Sequence, residues 1–401
     1  MDTPLKDVRV LDLTRVLAGP YATLILGDLG AEVIKIERPG NGDDSRSFGP
    51  FLEGESLYFM SLNRNKKSIV LDLKSEKGKD VFKKLVEASD VVIENFRPGI
   101  MDKLGLGYEV LRKINPRIIY VACSGFGQTG PYRGLPAYDM IVQAMGGVMS
   151  ITGEMGGSPV RVGTSIGDIT AGLFTAIGIF SALRARDVIG EGQMVDIGML
   201  DCQVAILENA IVRYFATGEI PKPLGSRHPS VVPFEAFKSK DSYVVIAIGN
   251  DSFWKKFCNL VNKLELSHDS NFETNALRAK NYSKLKAVMN QLILEKTTDE
   301  WVELLQANGI PCCAINTVDK VFHNEQVNAR DMIIEVDHPT AGKVKMSGIP
   351  IKFSKTPGSI RSPPPIYAQH TKEVLCNLLE MSTEDFEELN RQGVIQYNAK
   401  T

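Results

Sequence analysis

The sequence predicts an α/β fold with a mostly parallel sheet, and three observations predict it. Apolar runs of strand length alternate with amphipathic runs of helix length, five such strands fall within the first 121 residues, and residues 8–37 alone make a strand-helix-strand unit. At 401 residues the chain fits two to three domains of about 150 residues each. It can bury a core without disulfides or structural metal.

Val8 to Leu13 reads as the first strand. TRVLAGP follows as a turn, and Pro20 suits the first turn of a helix that runs to Leu29 and stops at Gly30. AEVIKIE at 31–37 is the second strand. Ser68 to Leu73 is a strand, Glu76 to Ala88 a helix with apolar residues at 81, 82, 85 and 86, Asp90 to Ile93 a strand, 108–114 a helix, and Arg117 to Val121 a strand. Residues 139–186 and 199–217, rich in Ala, Gly, Met and Ile, read as buried helices. EIPKPLGSRHPSVVP at 219–233 is a linker or loop. Beyond it lie a strand at 243–248 and helices near 251–264, 282–296 and 299–307, the last opened by a capping box from Thr297 to Glu300. From 326 the chain turns to strands and prolines and closes with helices at 371–380 and 383–391.

Lys plus Arg total 46 against 48 Asp plus Glu, a net charge of −2 that excludes a globally basic nucleic-acid binder and leaves only local basic sites. Six cysteines, at 123, 202, 258, 312, 313 and 376, lack CxxC spacing and read as buried thiols in a reducing, cytoplasmic compartment. The N-terminus enters a strand directly, unlike a signal or transit peptide. The apolar run 169–183 is shorter than the roughly 20 residues of a membrane span, so a buried helix and no membrane association are expected. Five histidines lack HExxH or HxH spacing, so no metal site is expected, and no GxSxG elbow occurs.

Candidate chemistry rests on a few side chains. The first turn, LAGPYAT, lacks GxGxxG, which disfavours ordinary NAD binding; Glu37 is followed by Arg38, which suits a ribose phosphate such as that of NADP or coenzyme A, or else a surface pair with Glu37 or Asp43. Asp168, between PVRVGTSIG and a long apolar helix, reads as an N-cap, as a nucleophile, or as both. A carboxylate is ionised at neutral pH and can attack an activated acyl group without a general base.

LDLTRVLAGPYAT at 11–23, GDLGAEVIKIERPGNGDDSR at 27–46, SLNRNKKSIVLDLK at 61–74, ENFRPG at 94–99, SGFGQTGP at 124–131, AYDMIVQAMGG at 137–147, GDITAG at 167–172 and NGIPC at 308–312 together resemble the class III CoA-transferases, a family that also holds the α-methylacyl-CoA racemases. The resemblance covers nearly the whole chain. It implies a Rossmann-like large domain (1–217), a linker and active-site loop (218–240), a smaller α/β domain (241–325) and a return linker with the C-terminal part of the large domain (326–401). It further implies a ring-like monomer and an interlocked homodimer.

The resemblance places the catalytic carboxylate at Asp168, with Asp139 structural. It assigns CoA contacts to Leu17, Ala18, Arg38, Leu71, Lys74, Asn95, Phe96 and Lys103, and an acyl pocket to Phe48, Tyr58 and Tyr138. Arg227 and His228, in a loop that differs from that of the oxalate-specific relatives, read either as partners for a second carboxylate if the loop folds inward or as solvent-facing loop residues. Where some members carry a Lys, this chain has Pro136, and Arg133 is the neighbouring cation. Tyr138 stands where racemases place a His, and a Tyr with a pKa near 10 is a poor base at neutral pH. The implied reaction is CoA transfer from an acyl-CoA to a short carboxylic acid, a dicarboxylate such as oxalate first, with no permanently bound cofactor. Succinyl-CoA:dicarboxylate transfer, racemisation and, more remotely, an NADP-dependent reduction are the alternatives.

Overall fold

The computed structural model describes residues 2–398. Residues up to Val148, Arg161–Val212 and residues from Gln326 onward group into one compact unit; Met149–Val160 and Arg213–Glu325 group into a second.

The first unit is organised by a seven-stranded sheet: β1 (Arg9–Asp12), β2 (Glu32–Glu37), β3 (Lys66–Leu71), β4 (Val91–Glu94), β5 (Ile119–Ser124), β6 (Met194–Gly198) and β7 (Ile395–Gln396). Their order is β7-β3-β2-β1-β4-β5-β6. All neighbours are parallel except β7, whose Ile395 lies antiparallel opposite Leu71 of β3. The chain's last strand therefore joins the edge of a sheet begun by its first residues.

Side-chain alternation sorts the core into two layers. Leu11, Ile34, Ile69, Val92 and Tyr120 point to one face, under α2 (Glu76–Glu87), α3 (Tyr108–Ile114) and two C-terminal helices, Thr371–Leu378 and Thr383–Arg391. Val10, Val33, Val91, Ile119 and Val121 point to the other. There they meet α1 (Ala18–Asp28) and a long helix, Ile166–Ile189. Arg361 ties the returning segment to this layer by donating to the carbonyls of Gly27, Gly30 and Ala31 at the C-terminal end of α1.

The expected helical stretch 139–186 is broken. It divides into α4 (Asp139–Met145), a single turn at Val148–Ile151, a non-helical segment and α5 (Ile166–Ile189). Gly147, Gly153 and Gly156 adopt positive φ between the pieces, which ends each run. Likewise 199–217 splits into α6 (Met199–Ala205) and a helix at Asn209–Thr217 around Glu208, which also has positive φ. At 24 residues α5 is longer than its apolar run, and by length and composition it could cross a membrane. It packs instead on α1 as a core helix, with Arg186 paired to Asp90 at 2.9 Å. Gly172 is required for that packing, because a Cβ there would lie 2.7 Å from the Ala18 carbonyl oxygen.

The second unit holds a three-stranded antiparallel sheet of Phe234–Lys238, Tyr243–Ala247 and Cys312–Ala314. Helices Asp251–Leu260, Tyr282–Ile293 and Thr298–Ala307 surround a core centred on Trp254, Phe257 and Trp301. The capping box forms: the Thr297 hydroxyl accepts from the Glu300 N–H, and the Glu300 carboxylate accepts from the Thr297 N–H. All six cysteines are free, but only 123, 202 and 258 are buried. Cys312 and Cys376 are half-buried and Cys313 is exposed, a departure from the expected set of buried thiols.

Candidate active site

Strand order reverses between β1 and β4, and in open parallel sheets ligands bind beyond the carboxyl ends of the strands at such a switch point. Two cavities lie there. One, of about 270 Å³, is lined by residues that include Arg15, Arg38, Leu71, Lys74 and Phe96. The other, of about 240 Å³, is lined by residues that include Arg15, Leu17, Ala18, Asp44, Phe96, Tyr138 and Asp168. Arg15 and Phe96 belong to both walls, with the Arg15 guanidinium 4.9 Å above the Phe96 ring.

Beneath the cavities runs a buried charge network. Asp12 and Lys66 pair at 3.2 Å, Lys35 and Asp43 at 2.8 Å, and Glu37 takes a two-pronged bond from Arg46 at 2.7 Å on each oxygen. Burial opposes the charge on Glu37, but Arg46 outweighs it and holds the carboxyl below its usual range. Asp43 is held low in the same way by Lys35, against the opposing pull of burial. These pairs fix the 38–47 loop. They also commit Glu37 to Arg46, so it is not available as a ribose ligand or as the partner of Arg38. Arg38 pairs instead with Asp44, a residue the sequence reading did not weigh.

The turn between β1 and α1 is held from two sides. The Asn95 amide oxygen accepts from the Arg15 N–H at 2.9 Å while its NH2 donates to the Arg15 carbonyl at 2.8 Å. Asp43 accepts the Val16 N–H at 3.1 Å. Val16 has φ 67°, a left-handed conformation that a β-branched residue adopts only when its surroundings impose it, at about 1–3 kcal/mol. With both ends of its amide bonded to Arg15, Asn95 shapes the turn through its side chain, and it lines the Asp168 cavity beside Phe96. Glu94, beside it, is buried, accepts the Phe96 N–H at 2.6 Å and is pushed up to about 7 by burial.

Asp168 is not the cap of α5. The N-cap position is Ser165, and Asp168 lies in the helix's first turn. Capping is done by Asp139 from α4, whose carboxylate accepts the Gly167 N–H at 2.8 Å and the Gln143 amide at 2.8 Å, with Arg161 at 3.6 Å. A Cβ at Gly167 would fall 2.7 Å from Val142 and 2.9 Å from Asp139, so only glycine allows this seat. Among the described residues no side chain or backbone N–H donates to the Asp168 carboxylate. Burial, and then the negative charge of Asp139, push its carboxyl from the usual 3.8 up to about 7. Opposite, α1 begins at Ala18 with no side-chain cap and no acid in its first turn. Its positive end is therefore available to developing negative charge.

The remaining expected residues are placed as follows. Leu17, Ala18, Phe96 and Tyr138 share the Asp168 cavity, and Arg38, Leu71, Lys74 and Phe96 share the adjoining one. Lys103 lines neither; it is exposed on the short helix Ile100–Lys103, whose Ile100 does line the first cavity. Phe48 and Tyr58 meet edge-on at 5.5 Å, and burial followed by the charge of Asp168 pushes the Tyr58 hydroxyl up to about 12, so it remains a donor. Arg227 and His228 belong to the second unit, where Arg227 stacks on Tyr282 at 3.7 Å and His228 on Phe234 at 5.4 Å. Arg133 is exposed. Sequence reasoning passed over Arg15 and Asp44. The signal for Arg15 was its position just past the carboxyl end of a buried parallel strand.

The chain and its fold are similar to those of known proteins. Residues 5–371 match the family model described as CoA-transferase family III. The chain is 43% identical over 394 residues to succinyl-CoA:glutarate CoA-transferase of Mus musculus, covering 98% of this chain and 90% of the relative. It is 45% identical over 352 residues to acetyl-CoA:oxalate CoA-transferase of Acetobacter aceti, covering 88% and 89%. The crystal structure of a CAIB/BAIF family protein from Brucella suis matches with a TM-score of 0.84 at 39% identity, over 94% of this chain and all of that one.

Proposed function

The chain belongs to CoA-transferase family III, and from that premise we propose that it moves CoA from an acyl-CoA to a short dicarboxylic acid through covalent intermediates on Asp168. The observation that carries the reading is a carboxylate with no hydrogen-bond donor, in the cavity that adjoins the Arg38 and Lys74 cavity at the sheet's switch point. An acid committed to structure would be bonded, as Asp139 is.

In the proposed sequence an Asp168 oxygen attacks the thioester carbonyl and the C–S bond breaks, giving an acyl-aspartyl anhydride and CoA thiolate. The thiolate attacks the aspartyl carbonyl, releasing the donor acid and leaving an aspartyl-CoA thioester. The acceptor carboxylate attacks that thioester, freeing the thiolate, which then takes the acceptor's acyl carbon and restores the carboxylate. Each step exchanges one activated acyl group for another, so no ATP is consumed. Burial raises the free energy of the Asp168 anion and strengthens it as a nucleophile. The N–H groups opening α1 suit the oxyanions, and the Tyr58 hydroxyl suits a substrate oxygen.

Transfer is favoured over racemisation by the composition of the walls: no histidine lines either cavity. For the substrate, the two named relatives act on glutarate and oxalate. Tyr138, on the wall of the Asp168 cavity, and the Tyr58 hydroxyl, within reach of the Asp168 charge, suit a small polar acid, which supports oxalate as the first choice. The test is a matrix of acetyl-, formyl- and succinyl-CoA against oxalate, succinate, glutarate and monocarboxylates, read by mass spectrometry of the new thioester. Transfer confined to monocarboxylates, or none, would overturn the substrate class. We also propose a homodimer, interlocked as the resemblance implies. Exposed Met140, Ile141 and Met145 on α4 and Leu173, Phe174 and Ile177 on α5 supply apolar surface for a second copy. Light scattering should give twice 44.1 kDa.

A further inference from the structure

Asp44 bridges two arginines at the junction of the two cavities. One carboxylate oxygen pairs with Arg38 and the other with Arg15 at 3.3 Å. Arg38 lines the first cavity, Asp44 the second, and Arg15 both. The Asp44 backbone cannot withdraw. It opens the 3-10 turn Asp44–Ser47, which Asp43 caps and which Arg46 anchors to buried Glu37. The Asp44 side chain itself is 38% exposed, so only its two arginine pairs hold it over the cavities.

An exposed carboxylate-arginine pair is worth little by itself. It nevertheless holds a negative charge against the guanidinium groups that an incoming phosphate would use. We propose that Asp44 is a built-in competitor for the phosphates of CoA: it occupies Arg38 and Arg15 and must be displaced from Arg38 as CoA spans the two cavities, which sets the affinity for acyl-CoA below what the arginines alone would give. The inference rests on the CoA reading above. Its consequence for the reaction is favourable, since an enzyme that must release one acyl-CoA for another turns over faster when CoA is not held too tightly.

The test is titration calorimetry with CoA at low salt on wild type, Asp44→Asn, Arg38→Ala and the double variant. Asn keeps the shape of the side chain and the backbone bonds of the turn; Asp44→Ser serves if it does not fold. Asp44→Asn should bind CoA about five- to tenfold more tightly than wild type, and the gain should shrink at high salt. In the Arg38→Ala background the same substitution should gain less than twofold. Unchanged or weaker binding by Asp44→Asn, or a full gain without Arg38, overturns the proposal. Wild type that fails to bind CoA at all would instead overturn the CoA reading itself.

Discussion

Replacing Asp168 with Asn separates what the residue does for the reaction from what it costs the fold. The side chain keeps its shape, and no donor loses a partner. In the folded protein the carboxyl titrates near 7 because of burial and Asp139, against about 3.9 in the unfolded chain. A tenfold change in proton affinity is worth about 1.4 kcal/mol, so the upper bound is about 4 kcal/mol. Asp168 is only half-buried, and water reaching it reduces the expected effect to about 1–2 kcal/mol. The folded state holds the proton more tightly, so the group's stabilisation is complete below the unfolded pKa and is lost as pH rises through about 7. Asp168→Asn should therefore match wild type near pH 4 and be more stable by about 1–2 kcal/mol above pH 7, read from urea unfolding at several pH values. CoA transfer should fall at least a thousandfold. A variant no more stable at pH 8 would refute the buried, unbonded environment; one that retains activity would refute the nucleophile.

Three further outcomes follow from the geometry. Since the attacking form is the anion, kcat/KM measured against pH should fall through a single ionisation as pH drops through about 7. Asn95→Ala leaves the Arg15 N–H and carbonyl without their side-chain partners. It should cost about 1–3 kcal/mol in denaturant titration and raise KM for acyl-CoA more than it lowers kcat. Gly172→Ala drives a methyl against the Ala18 carbonyl; separating α1 from α5 should cost about 1–3 kcal/mol of unfolding free energy.

The parallel half of the sheet was legible in the sequence because its strands are short, apolar and spaced by amphipathic helices. β6 was not: Met194–Gly198 carries Asp196 amid apolar residues and lies beside long helix-like runs that hide a five-residue strand. β7 was not either, since a two-residue strand gains its identity only from pairing with Leu71 and Val70, more than 300 positions away. Around the site, residue types were legible and partners were not. Asp168 stood out, but its cap role went to Asp139, a contact made across 28 positions by tertiary packing. Arg38 was found, whereas its pairing with Asp44 rather than Glu37 depends on Arg46 having taken Glu37 first.

The central claim is that the acyl group passes onto Asp168, and chemical trapping reaches it most directly. The protein is mixed with an acyl-CoA donor and hydroxylamine, without acceptor, and digested for peptide mass spectrometry while free CoA is measured. The account predicts a hydroxamate on the peptide carrying Asp168, formed with stoichiometric release of CoA and absent from Asp168→Asn. No modification at that position in an enzyme that still transfers CoA would contradict it.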